Sequence, residues 1–365
     1  MEINDSKFGN CKTAYSFDEL LMLPGYAQMS PKDIDSSAVL NGITLKSPFL
    51  SAAMDTVTGP EMAIALGLSG GLGVIHRNCS TEEALAMLRE VKNFKIPEGN
   101  SNATKDASGR LAVGIAISSE VERAIEVAKE ADILFTDVAS FHNQKIFDAV
   151  KKTIDATGKQ IVIGNLGTEE GVMHAVKEIG AENISGIKVG MGSGSICTTT
   201  DVTGVGSPVP FAVAEAVSAL KKLNLSIPII ADGGIRKPRD IAISFGLGAS
   251  FVMLGNIFAR CDESPGEKVE KNGKYYKVYW GMGSKEARSK RAALDRYQDS
   301  GKGKNIEEGI KIHVESEGPV SDKVEKMTYQ LKTTMGYIGA RKISEIRAKA
   351  NFAVIKPKGE KIGVE

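Results

Sequence analysis

Apolar residues gather in eight short, nearly unbroken runs, at 48–53, 71–75, 111–117, 133–138, 161–165, 186–189, 227–231 and 251–254. Unbroken rather than alternating runs predict strands covered on both faces, as in a parallel sheet. The intervening stretches 81–91, 121–130, 146–156, 169–179, 211–223 and 239–246 place apolar residues at helical spacing and predict helices. Ser80-Thr81 ahead of Glu82-Glu83, and Thr168 ahead of Glu169-Glu170, supply N-terminal caps. Eight strands alternating with helices predict an α/β fold, a closed (β/α)8 TIM barrel, with an open doubly wound sheet as the competitor. One catalytic domain over 1–365 is expected.

Three intervals break the rhythm. Residues 93–110 are polar and predict an exposed connection. The sixth strand is followed by a loop dense in Gly, Ser and Thr that continues to Pro208. Residues 259–319, rich in Lys, Gly, Ser and Glu, are too long for an idle connection. At the catalytic mouth of a barrel they predict a long mobile flap after strand eight.

Composition narrows the class. The 365 residues carry 46 Lys+Arg against 45 Asp+Glu, a net charge of +1, so no basic bias points to nucleic acid as a partner. Cys11, Cys79, Cys197 and Cys261 lie far apart without a C-x-x-C pair, which fits a reducing compartment better than a disulfide scaffold or zinc site. The N-terminus lacks the order of a signal peptide, and no uncharged stretch is long enough to span a bilayer. A cytoplasmic protein with no membrane partner is expected.

Barrel catalysis takes place at the carboxyl ends of strands. There the sixth strand delivers Gly192-Ser193-Gly194-Ser195-Ile196-Cys197-Thr198-Thr199. Glycines let backbone N–H groups approach an anion, Ser195 adds a hydroxyl, and Thr199 can position water beside a nucleophilic Cys197. An inert buried cysteine is the plain alternative. Asp232-Gly233-Gly234 after strand seven suits a ribose diol beside a phosphate, against the alternative of a helix-capping turn. Gly255-Asn256 after strand eight fits the barrel phosphate site. Strand one ends at Ser51-Ala52-Ala53-Met54, strand four at Asp137 and strand five at Asn165. Tyr279-Trp280-Gly281-Met282-Gly283 can line a planar base, and no histidine is obviously placed to activate water.

These segments resemble one family. Phe17-Asp18-Glu19-Leu20-Leu21, Pro48–Thr58, Gly70-Gly71-Leu72-Gly73-Val74-Ile75-His76, the loop around Cys197, Ala231-Asp232-Gly233-Gly234-Ile235-Arg236, Tyr279–Ser284 and Met335-Gly336-Tyr337 are similar to the IMP dehydrogenase/GMP reductase family. The resemblance implies a (β/α)8 barrel, commonly a homotetramer, acting on purine 5′-monophosphates with a nicotinamide cofactor. Most dehydrogenases of the family carry a pair of CBS domains after the second strand and helix, where this chain has only 93–110.

Two chemistries follow from the resemblance. In the dehydrogenases a cysteine adds to C2 of the hypoxanthine, hydride leaves to NAD, and water activated by an Arg-Tyr pair hydrolyses the adduct. In the reductases the cysteine displaces ammonia from GMP and NADPH returns a hydride. Arg296-Tyr297 and Glu308 match the dehydrogenase pattern. The resemblance thus implies Cys197 as nucleophile and Thr199, Arg296 and Tyr297 for hydrolysis. It implies Ser195, Gly234, Gly255, Asn256 and Tyr279 for the phosphate and Asp232 for the ribose. Met282, Gly283 and Glu308 are implied for the base, with Ser51 and Met54 on the substrate side. Asp137, Ala139, Asn165, Gly190 and Gly192 are implied toward NAD, and the carbonyls of Gly192, Gly194 and Cys197 for K+.

The chain departs from the family at Thr200, where arginine is common, and at Val209, Ser193 and Asn256. Asp137-Val138-Ala139 is closer to the reductase form. An NAD-dependent IMP dehydrogenase without CBS domains is the leading expectation. A GMP reductase, or a weakened barrel that only binds purine nucleotides, are the alternatives.

Overall fold

A computed structural model describes residues 11–28, 30–289 and 308–355 of the chain. Strand β1 (Leu20–Leu23) precedes the hairpin of β2 (Ala38–Leu40) and β3 (Ile43–Leu45). The hairpin turns at Asn41-Gly42 with φ of 50° and 75°, the positive pair that a two-residue β-turn requires. Leu40 and Leu45 are fully buried, and Leu40 abuts Gly186 in the lower half of the sixth barrel strand.

Eight parallel strands follow: β4 (Phe49–Ser51), β5 (Val74–Ile75), β6 (Gly114–Ile117), β7 (Ile133–Thr136), β8 (Ile161–Leu166), β9 (Ile184–Val189), β10 (Ile229–Asp232) and β11 (Phe251–Leu254). Each overlaps an expected apolar run, three of them extending one or two residues beyond it, and is buried almost throughout. β11 pairs back onto β4, Val252 opposite Phe49. Ser51 N donates to the Leu72 carbonyl at 3.2 Å and Leu72 N to that of Phe49 at 3.1 Å, so the ring closes between β4 and the residues ahead of β5. The expected barrel, rather than an open sheet, is what forms.

Around it lie helices α1 (Pro60–Leu68), α2 (Thr81–Asn93), α3 (Val121–Ala128), α4 (Gln144–Thr157), α5 (Glu169–Ile179), α6 (Thr199–Thr203), α7 (Val209–Leu223), α8 (Pro238–Leu247), α9 (Asn256–Ala259), α10 (Lys285–Ser289), α11 (Val320–Ile338) and α12 (Ile343–Lys349). The Ser80 box forms as expected: Glu83 N donates to Ser80 Oγ at 3.1 Å and Ser80 N to Glu83 Oε2 at 2.8 Å. Periodicity missed α1 because Met62, Ala63, Leu66 and Gly67 are all buried and little polar face remains to mark it. It also missed α11, which packs beside α1 and α8 and completes the outer ring.

The span 259–319 differs from the irregular segment expected. Its described part forms an antiparallel sheet of β12 (Lys268–Lys271), β13 (Lys274–Trp280) and β14 (Lys311–Glu315). Asn272-Gly273, with φ of 52° and 74°, turns the first hairpin. Trp280 Nε1 donates to Asp55 Oδ1 at 2.8 Å and Asn78 Nδ2 to Asp55 Oδ2 at 3.0 Å, tying this sheet to the loops after β4 and β5. Finally β15 (Asn351–Val354) pairs antiparallel with β1. No helix among the described residues is long and apolar enough to cross a membrane.

Candidate active site

β9 is followed by Gly190 at φ 114°, where a Cβ would lie 2.3 Å from the Asp232 carbonyl, so the turn after β9 and the end of β10 are in backbone contact. The cysteine loop then folds on itself, Cys197 N donating to the Gly194 carbonyl at 3.1 Å. Residues 308–310 lie along it. Cys197 bridges Gly309, Ile310 N donates to the Ile196 carbonyl at 3.1 Å, and Thr198 N donates to that of Glu308 at 3.3 Å. Gly309 also lies close to 281–284, where a Cβ would meet Ser284 N at 3.1 Å and Gly281 Cα at 3.2 Å.

The consequence is a short polar chain. The Cys197 thiol donates to Thr199 Oγ1 at 3.2 Å, and that hydroxyl donates to Glu308 Oε2 at 2.7 Å. Thiol, hydroxyl and carboxylate thus form a line along which a proton can pass.

Across the cavity, Asp232 Oδ2 accepts from Lys188 Nζ at 3.0 Å and from Asn165 Nδ2 at 3.0 Å, while Lys188 also donates to Asn165 Oδ1. Asn165 Nδ2 further reaches the Gly190 carbonyl at 2.8 Å. Lys188 is 5% exposed, so its charge is removed from water and held by these partners. Sequence reasoning missed Lys188, although a lysine inside the apolar run 186–189 was the signal.

On the third side, Asn256 Nδ2 donates to Ser195 Oγ at 3.2 Å, and Tyr279 closes the wall beside Gly255, where a Cβ would come within 2.8 Å of its hydroxyl. Burial raises the Tyr279 phenol well above its ordinary range, with Asp232 and Cys197 adding to the effect against a hydrogen bond with Ser195. It is a neutral donor at any working pH.

One cavity gathers most of the expected residues: Cys197, Ser195, Gly192 and Gly194 from the cysteine loop; Asp232, Gly234, Gly255 and Asn256 from the next two loops; Met54, Asp137, Asn165 and Gly190 from strand ends; and Tyr279, Met282 and Glu308 from the added sheet and its neighbour. Thr199 stands behind Cys197. Asp137 is held by Arg77, whose Nε donates to its carbonyl at 3.1 Å and its Oδ2 at 3.3 Å. Besides Thr199, three described residues are not in the cavity wall. Ser51 is fully buried below it with its Oγ near Val74 N, Ala139 lies outside it, and Gly283 contributes its carbonyl to Glu308 N at 3.3 Å. Arg296 and Tyr297 lie outside the described residues. Ser193, Ile235, Arg236 and Met253 also line the cavity and were not singled out by the sequence.

A potassium site is compatible with the loop. The Gly192 carbonyl accepts from Thr200 Oγ1 at 3.0 Å and that of Gly194 from Cys197 N, and each keeps a second lone pair for a hard cation. No cluster of three or more His, Cys, Asp or Glu side chains among the described residues could hold a metal.

The IMP dehydrogenase / GMP reductase domain matches residues 14–363. The chain belongs to that family. Curated members similar to it include inosine-5′-monophosphate dehydrogenases of Korarchaeum cryptofilum, 34% identical over 95% of this chain and 95% of its own length, and of Cryptosporidium parvum, 35% over 96% and 94%. The enzyme of Escherichia coli is 32% identical over 95% and 94%. The archaeal alignment runs over 456 positions against 383 for C. parvum, so the former carries inserted residues this chain lacks. A family member of 365 residues is consistent with a barrel without CBS domains.

Proposed function

We propose that this chain is an NAD-dependent IMP dehydrogenase, converting IMP, NAD+ and water to XMP and NADH. The observation that carries the reading is the cavity wall on which Cys197, Asp232 and the Gly234–Gly255 phosphate cradle meet, a span suited to the base, ribose and 5′-phosphate of one nucleotide.

Asp232, fixed by Lys188 and Asn165, accepts from the ribose hydroxyls. Ser195, Tyr279 and Asn256 donate to the phosphate beside the backbone amides of Gly234 and Gly255. Held this way, C2 of the hypoxanthine faces the Cys197 sulfur. The thiol proton leaves toward Thr199 and Glu308, and the sulfur forms a bond to C2. Asp137, Asn165 and Gly190 would hold NAD+, which would supply the acceptor for the C2 hydrogen and its electron pair. The resulting thioimidate is hydrolysed: water adds to C2, the C–S bond breaks, and a proton returns to sulfur. Thr199 positions that water, and Arg296 with Tyr297 takes its proton. A guanidinium is a base only when desolvated, which makes closure over the cavity part of this reading. The carbonyls of Gly192, Gly194 and Cys197 would hold K+, which would supply positive charge to offset their dipoles.

The same proposal includes one catalytic domain over 1–365, a homotetramer, and residence in the reducing cytoplasm. An absorbance assay tests it: NADH forms with IMP and NAD+, faster with potassium than without. Asp137-Val138-Ala139 favours the second reading, a GMP reductase, and consumption of NADPH with GMP in place of NADH formation would establish it. Arg296→Ala is expected to let the covalent adduct accumulate, seen as a mass increment on the Cys197 peptide after acid quench; no increment removes the hydrolytic role of the arginine.

A further inference from the structure

A second cavity, of about 610 Å³, opens on the outer side of the phosphate loop and shares Ser195, Arg236 and Asn256 with the substrate cavity. Its chemistry is one-sided. Arg236, Lys237, Arg260, Lys323 and Lys326 line it, and Glu317 is the one acidic residue among its lining. α11 presents its share by helical spacing: Lys323, Lys326 and Gln330 recur at intervals of three and four, while Val324 and Leu331 turn to the core.

Glu317 offsets only two of the cations, Arg260 at 3.1 Å and Lys323. Lys237 reaches Asp18 at 3.8 Å, and Arg236 and Lys326 have no ion-pair partner among the described residues. The groove is also linked to the adjoining cavity by hydrogen bonds. Arg260 Nε donates to Asn256 Oδ1 at 3.1 Å, and the other end of that amide donates to Ser195 Oγ. Cations gathered in a concave surface focus positive potential, and an anion with several acceptor oxygens relieves their mutual repulsion. Guanidinium and ammonium groups arranged this way suit a phosphoryl dianion.

We propose that this groove is a phosphoryl subsite beyond the 5′-monophosphate position, filled by the distal phosphate of a purine nucleoside diphosphate or by free inorganic phosphate. The inference rests on reading the adjoining cavity as the monophosphate site. A diphosphate spanning both cavities competes with IMP, so the barrel senses the purine nucleotide pool without a separate nucleotide-binding module.

Calorimetry on the full chain tests this with GMP, GDP and inorganic phosphate, using the wild type and a Lys323→Gln/Lys326→Gln double variant. Both altered residues line only the outer cavity. GDP is expected to bind the wild type about tenfold tighter than GMP, as one or two charge-assisted contacts imply. The double variant is expected to lose that advantage while GMP affinity and IMP turnover stay within about twofold. In a second arm, phosphate is titrated into protein saturated with GMP. Binding there that the variant loses, with no GDP advantage, assigns the groove to free phosphate; a GDP advantage without it assigns the groove to the distal phosphate. The exposed single variant Lys326→Gln moves in the same direction and guards against misfolding of the double. The proposal is overturned if the wild type shows neither effect, or if the variants change neither. Absence of both GMP binding and NADH formation would instead overturn the reading of the adjoining cavity, and this inference with it.

Discussion

At the scale of single residues, the four cysteines separate by environment. Burial, with nearby Glu263, pushes the Cys261 thiol up to about 12, and its side chain is fully enclosed. It is chemically inert near neutral pH. Cys197 opens on the cavity and donates a hydrogen bond to Thr199 Oγ1. Iodoacetamide is therefore expected to leave Cys261 unmodified and to alkylate Cys197 unless IMP is present, as read by peptide mass spectrometry. Cys197→Ala should abolish NADH formation while IMP still binds within about threefold of the wild type, because the phosphate and ribose contacts remain. Loss of binding along with turnover would mean that Cys197 shapes the loop rather than attacking the base. Lys188 makes a different kind of contribution. Lys188→Met leaves Asp232 without its ion pair, so KM for IMP is expected to rise about tenfold with a smaller change in kcat. An equal fall in kcat with KM unchanged would argue against a positioning role.

These residues also show how far the sequence reaches. Cys197, Asp232 and Gly255-Asn256 were legible because barrel geometry sends every strand end to one face, so position along the chain translates into position in the site. Glu308 was legible only through family resemblance. Its place beside Thr199 depends on 308–310 lying against the cysteine loop, a pairing across more than a hundred residues that no local pattern encodes. Ser51 shows the reverse limit: it stands at a strand end, yet its side chain points inward and is fully buried. The two-residue period of a strand decides that, and a run only three residues long does not reveal its phase.

At the scale of elements, the connection after α2 is held by one lysine. Lys92 Nζ, 2% exposed, binds Asp106 Oδ2 at 2.5 Å, Asp132 Oδ2 at 2.8 Å and the Leu111 carbonyl at 3.1 Å. It fastens residues 93–110 to the entries of β6 and β7. Burial by itself would raise the Asp106 carboxyl, but hydrogen bonds from Lys92, Ser108 and the Arg110 amide outweigh it and hold the group well below the usual range. A carboxylate depressed in the folded state contributes stability that is complete above its unfolded pKa of about 3.9 and is lost as pH falls through the lower folded value. Lys92→Met is expected to cost about 3–5 kcal/mol near neutral pH, since it strands two carboxylates in a partly dry site. The difference from wild type should shrink below about pH 4, where the carboxylates of the variant protonate. Urea unfolding at both pH values checks this, and a cost independent of pH would point to lost packing alone.

At the scale of the whole molecule, the strands that line the cavity and the strands that tie the two ends of the described chain together are different elements. The cavity is built from strand ends such as Asp232 and Leu254-Gly255, whereas β1 and β15 pair along the outside of α8. β15 zips onto β1 from Leu20–Val354 to Leu23–Asn351, and Ile355 N donates to the Glu19 carbonyl at 2.8 Å. The sheet lies over the end of α8, where a Cβ on Gly246 would come within 2.8 Å of the Phe352 ring and 3.1 Å of Met22 Sδ. Arg239 adds hydrogen bonds to the Leu20 and Phe17 carbonyls at 2.5 and 3.2 Å. A chain ended at Ala350 loses β15 and Phe352, uncovers the apolar side of β1 and leaves that strand as an open edge. Losing Phe352 alone is expected to cost roughly 2 kcal/mol, and the open edge to promote association on heating. No cavity-lining side chain among the described residues is removed, so IMP affinity well below the melting transition should stay within about twofold. Parallel measurement of the melting temperature and of IMP affinity decides the point. Weakened IMP binding in a chain that is still fully folded would mean that the terminal sheet acts on the strand ends through α8, and that stability and chemistry are not divided between separate elements.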